Sequence, residues 1–258
     1  MLGELHQTST PFTDDTKLAM QEACKDGDLP TLQRLMDENG GHLKGSGTAP
    51  ALLKTAVECQ YPQIVNYLLS TCPDLPLSQR TDIVASLLKT SNVPILNLLL
   101  SHQPTFASIS IDYGVRTFLT DACFQPSAKI DPLIHVLLDA GADVNDGMGP
   151  GGGALVAALL GGQGKDVVVK ILKRGGSVGQ YVLNVAVKKE RVDVLMMLLK
   201  RGGERVDIEK VLQKAREGGN EKVIEISEGF LREKEERIDE DEFGKVGEQR
   251  SWWKFWGA

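Results

Sequence analysis

The sequence predicts an all-α solenoid of about seven helix-turn-helix units, and three periodic features carry that expectation. Apolar pairs recur at Leu35-Met36, Leu68-Leu69, Leu99-Leu100, Leu137-Leu138, Ile171-Leu172 and Leu198-Leu199, with steps of 33, 31, 38, 34 and 27 residues between their second members. Upstream of each pair lies a small residue, Ala23, Ala56, Ala122, Ala157, Ala186 and Ala215, with Leu87 in its place in the third unit. Three positions before that marker every residue is apolar: Met20, Leu53, Val84, Leu119, Ala154, Leu183 and Leu212. Such spacing draws one apolar stripe along a helix.

Taken in order, the first helices of the units are expected at 16–25, 50–59, 81–90, 115–123, 153–160, 180–189 and 208–217. The second helices are expected at 30–37, 62–70, 93–101, 132–140, 166–173, 192–200 and 221–234. Pro30, Pro62 and Pro132 fall at second-helix starts, where an absent N–H is no loss. Helices this short are marginal alone, so each unit must bury its stripe against its neighbours.

Within that frame, residues Pro132 to Asp146 (PLIHVLLDAGADVND) resemble the second helix and loop of an ankyrin repeat, and Gly141 to Asn145 match the family pattern fully. Gly27 and Gly219 match the glycine at the tip of the family's helix-to-helix turn, and Gly175 and Gly202 the glycine after its second helix. The departures are an incomplete Thr-Pro-Leu-His start in every unit, extra residues around Gln125 to Lys129, and the missing small residue of unit three. A tetratricopeptide array shares the period, but would carry aromatic packing positions in each repeat. The organisation expected is an extension at 1–13, repeats at 14–232, a charged linker at 233–250 and an aromatic tail at 251–258.

Composition agrees with a scaffold of Leu, Val, Ile and Ala. All three Trp lie at 252–256, and closely spaced helices leave little room for indoles. The longest apolar run, Ala154 to Leu160, is far shorter than the roughly 20 residues of a membrane-spanning helix. The N-terminal stretch lacks a basic region followed by an apolar run, and Leu2 is unsuited to N-myristoylation, so a cytoplasmic or nuclear setting is expected. Charge is divided: residues 1–164 sum to −8, residues 165–222 to +6 and residues 223–258 to −4. Most of the middle's basic residues alternate with acidic ones, as on a solvated helix face. Cys24, Cys59, Cys72 and Cys123 show no zinc spacing and read as reduced thiols, so no metal and no cofactor is expected.

Two glycine patterns invite chemical readings. Gly147, Gly149 and Gly152 satisfy GxGxxG, but a loop and not a strand precedes them, and Pro150 removes an amide a pyrophosphate would need. Gly175, Ser177 and Gly179 satisfy GxSxG, yet all four His (6, 42, 102, 135) precede the serine, the wrong order for that hydrolase fold. His135 sits in a mostly polar column of the second helices. Cys24 and Cys123 follow the marker alanine and read as small core residues.

The ankyrin resemblance implies a protein-interaction scaffold, with a protein partner on the face made by first helices and loop tips and no nucleic acid. Contacts are expected two residues after the marker, at Lys25, Glu58, Lys89, Phe124, Leu159, Lys188 and Glu217. Phe124 and Leu159 are read either as an exposed apolar patch or as packing residues, and Lys188 as a charged contact. Three readings stand for Trp252, Trp253, Phe255 and Trp256: a cap folded back on the repeats, an anchor for a partner, or a membrane contact disfavoured by the acidic segment 233–242. The alternative function is an enzyme or accessory subunit with a small-molecule pocket near Asp112 to Asp131.

Overall fold

The computed structural model describes residues 13–39, 47–126, 129–147 and 153–236. Residues 1–12 of the expected extension, residues 237–250 of the expected linker, the tail at 251–258 with its four aromatics, and Gly149 and Gly152 of the GxGxxG pattern lie outside the described residues, whereas residues 233–236, expected in the linker, are helical. What is described is almost wholly α-helical, with one two-stranded hairpin. The chain divides into two compact units, Met1–Gly147 and Met148–Ala258.

The first unit holds four helical hairpins in sequence: α1 (Asp14–Asp26) with α2 (Leu29–Asn39), α3 (Thr48–Glu58) with α4 (Pro62–Thr71), α5 (Thr81–Thr90) with α6 (Val93–His102), and α7 (Phe118–Phe124) with α8 (Asp131–Asp139). First helices pack on first helices, α1 on α3, α3 on α5 and α5 on α7, while α4 packs on α6 and α6 on α8. The second unit repeats the scheme with α9 (Gly153–Gly161) and α10 (Lys165–Lys173), α11 (Gln180–Lys188) and α12 (Val192–Gly202), and α13 (Ile208–Gly218) followed by a helix over 221–236, named α14. There α9 packs on α11, α11 on α13, and α10 on α12.

The marker column is what these layers close upon. Ala23, Ala56, Leu87, Ala122, Ala186 and Ala215 are all buried, as is each apolar residue three positions earlier, and in α9 both Ala157 and Ala158 are buried. A small side chain there lets one first helix lie close against the next, and the long apolar residue a turn away fills the space between.

The turn between paired helices is also a repeat. In six of the seven units the chain leaves the first helix through a left-handed residue, Gly27, Gln60, Ser91, Gly162, Glu190 or Gly219, with φ between 52° and 76°, whereas Gln125 after α7 has φ −67°. The following amide reaches back five residues, Asp28 to the Ala23 carbonyl, Tyr61 to Ala56 and Arg191 to Ala186, at 2.9–3.0 Å. This satisfies carbonyls that a helix end leaves open. A side chain at Gly27 would force the Tyr61 ring to move, because a Cβ there would lie 2.6 Å from it. Gln60, Ser91 and Glu190 adopt the same conformation without being glycine, which is why the sequence shows the turn in only some units.

Two expected positions are corrected. In α9 the equivalent bond runs from the Gln163 amide to Ala158, so the turn places the marker at Ala158 and not at Ala157. The fourth unit's first helix begins at Phe118 and not at Val115, because residues up to Thr117 pair in a β-hairpin and Thr117 caps the helix.

Candidate functional site: a hairpin that presents Tyr113

Between α6 and α7 the chain leaves the helical pattern. Gln103 ends α6, and a 3₁₀ turn at Pro104–Ser108 buries Phe106 and Ala107. Strands β1 (Ser110–Ile111) and β2 (Arg116–Thr117) then pair antiparallel, Ser110 opposite Thr117 and Ile111 opposite Arg116.

The base of this hairpin is fixed from several sides. Phe118 packs edge-to-face on Phe106 with ring centres 5.8 Å apart, and its amide donates to the Ile109 carbonyl at 3.0 Å. Thr117 and Thr120 cap α7 reciprocally: the Thr120 amide donates to Thr117 Oγ1 at 3.2 Å and the Thr117 amide to Thr120 Oγ1 at 2.8 Å. Gly147 closes against the same base, where a Cβ would meet Thr120 Cγ2 at 3.3 Å and the Thr117 amide and Val115 carbonyl at 3.4 Å.

The tip is strained. Asp112, Tyr113 and Gly114 all have positive φ, 49°, 56° and 90°. Glycine tolerates this and Asp does so tolerably, whereas a tyrosine there costs on the order of 1–2 kcal/mol. Arg116 holds the turn closed: its Nε donates to Asp112 Oδ2 at 3.0 Å and its Nη2 lies 2.7 Å from the same oxygen. Arg116 Nη1 also lies 3.5 Å from Asp121 Oδ1. Burial raises the pKa of Asp121, Arg116 opposes that rise, and the negative charge of Asp112 adds to it. The result is an aromatic side chain with 110% relative exposure, flanked by Val115 at 60%. Neither residue stood out in the sequence. The signal that was present is the departure itself: the step of 38 residues into the fourth unit is the longest of the series.

The other expected site residues are distributed as follows. In the first unit Lys25, Glu58 and Lys89 are exposed at successive first-helix ends, and Phe124 is half-buried. In the second unit Lys188 and Glu217 are exposed, but Leu159 has no exposed surface and offers nothing to a partner. The shift of the α9 marker explains it, since the position two beyond Ala158 is Leu160, which is half-buried. Ser177 is exposed in the loop after α10, and His135 is half-buried on α8. Cys24 and Cys123 are buried. Burial, with a smaller contribution from neighbouring Cys59, pushes the Cys24 thiol up to about 12, and burial raises Cys123 as well. Neither is poised as a nucleophile at neutral pH.

No family model and no curated protein matches the chain. Among solved structures it is similar to a chain of the complex between a predatory endopeptidase from Bdellovibrio bacteriovorus and its immunity protein. The two are 19% identical with a TM-score of 0.38, over 82% of this chain and 97% of that one. A likeness this loose carries no argument about function. Among the described residues no helix is long and apolar enough to cross a membrane.

Proposed function

We propose that this chain is a non-catalytic, ankyrin-like scaffold that binds a protein partner through the hairpin at 110–117 and the exposed first-helix ends of the first unit. The observation that carries the reading is Tyr113: a fully exposed aromatic, held in a costly backbone conformation by the Asp112–Arg116 pair on a base fixed by Phe118, Thr120 and Gly147. Strain kept at an exposed tip contributes nothing to the core, and such strain collects at binding and switch regions. Tyrosine brings large contact area at small entropic cost and is frequent among binding hot spots. Lys25, Glu58 and Lys89 lie at equivalent positions of successive first helices and would supply the polar rim. The ankyrin part of the reading rests on the Gly141 to Asn145 match in the sequence. The partner and the cellular compartment, expected to be cytoplasmic or nuclear, belong to this reading.

The test is parallel affinity capture with the full chain and with Tyr113→Ala and Val115→Ser variants. The reading requires at least one protein captured by the wild type and lost from both variants while thermal stability holds. Identical capture by all three would sink it.

A further inference from the structure

The second unit carries a groove for which the sequence supplies an occupant. α14 runs beside α12, Lys200 Nζ lying 3.8 Å from Glu233 Oε1, and it is tied to α13 by Arg216 Nη2 to Glu228 Oε1 at 2.9 Å. Val223, Ser227 and Phe230 face inward and are buried. On the other side an open groove of about 430 Å³ is lined by Val192 and Met196 of α12 and Ile226 and Gly229 of α14, together with the charged Lys222, Glu225 and Arg232.

Gly229 is the telling residue. A glycine within a helix costs ~1 kcal/mol relative to alanine. Packing among the described residues gives no reason for it, since a Cβ built there meets nothing within 4 Å. The missing side chain instead opens the groove, and Met196 offers beside it a thioether that suits an aromatic ring.

We propose that the aromatic run Trp252 to Trp256 of this same chain seats in the groove between α12 and α14. Reach allows it. Gly229 lies about 10 Å along the helix from residue 236, at ~1.5 Å per residue. The 15 residues 237–251 can span up to ~50 Å. Charge favours it locally: the acidic run Asp239 to Glu242 would pass Lys222 and Arg232, which line the groove together with Glu225. Tethering supplies an effective concentration near millimolar, so a modest contact suffices. The inference is independent of the hairpin reading, which concerns the other unit.

The chain reports on itself, because all three of its Trp lie in the run. Tryptophan emission and acrylamide quenching of the full chain are compared with those of a peptide of residues 237–258, of a Gly229→Leu variant, and of a Lys222→Glu, Arg232→Glu double variant. Gly229→Leu fills the groove while favouring the helix, so loss of folding does not confuse the result. Seating requires the intact chain to be blue-shifted and several-fold less quenchable than the peptide. It also requires Gly229→Leu to move both properties toward the peptide's values, and the charge reversals to do so in part, with helicity kept. Peptide-like emission from the intact chain would overturn the proposal and leave the aromatics to a partner protein or a lipid interface. Blue-shifted emission indifferent to both variants would overturn it equally.

Discussion

At the residue scale, the left-handed turn between paired helices separates two kinds of position. Where it is Gly27, any side chain collides with Tyr61 and the conformation disfavours L-residues, so Gly27→Ala should destabilise by ~2 kcal/mol or more, read as a lowered chemical-denaturation midpoint. Where it is Glu190 (φ 52°), Glu190→Gly should stabilise by up to ~1 kcal/mol, read as a raised midpoint, because relief of strain exceeds the added freedom of the unfolded chain. Equal effects at both positions would refute the assignment of a common turn. The cysteines divide by burial. Cys59 and Cys72, half-buried, should react with a thiol reagent in the native state, whereas buried Cys24 and Cys123, with raised pKa values, should react only on unfolding. Four equally fast thiols would contradict the burial seen.

At the element scale, the fold depends on close first-helix packing and on a few links between hairpins. Ala186 is fully buried on α11, between α9 and α13, and Ala186→Leu should cost ~1–3 kcal/mol by overpacking. A change within a few tenths of a kcal/mol would mean the helices are looser than described. Arg80 makes the clearest link: Nε and Nη2 donate to the two oxygens of Asp82 at 2.8 Å, and Nη2 also donates to the Pro50 carbonyl of α3 at 2.9 Å. The hydrogen bond from Arg80 is the largest influence on Asp82 and holds its carboxyl below the usual 3.8. A lowered folded pKa contributes stability that is complete above the unfolded value and fades as pH falls through the folded one. Thermal melts should therefore show Asp82→Asn less stable than wild type at pH 7, with the gap closing in acid below 3.8. A gap constant with pH would place the effect in packing instead. Arg191 and Asp193 repeat this bidentate pair at the start of α12.

At the scale of the whole molecule, the second unit holds the most completely buried element, α9, in which every residue from Gly153 to Leu159 is buried. Among the described residues, hydrogen exchange should be slow in α9 and fast at the tip of the 110–117 hairpin, since protection follows buried apolar packing. Comparable rates at the two places would deny this ordering. Much of the fold was legible in the sequence because its period is local: a small residue, an apolar residue three before it and an apolar pair in the next helix specify a hairpin that stacks. The all-helical class and the helix positions follow from that pattern, and the Leu- and Ala-built core explains why Trp is confined to 252–256. Three things lay outside it. The register of α9 could not be read, because a helix apolar on every face has no stripe to count from, and only the bond from Gln163 to Ala158 placed its end. The hairpin that presents Tyr113 rests on Phe106, Thr120 and Gly147, which are far apart in the chain and meet only in the fold. The groove at Gly229 exists because two helices lie side by side, so it belongs to the space between them. Periodicity along one chain thus determined the units, while their exposed features arise from contacts that periodicity does not encode.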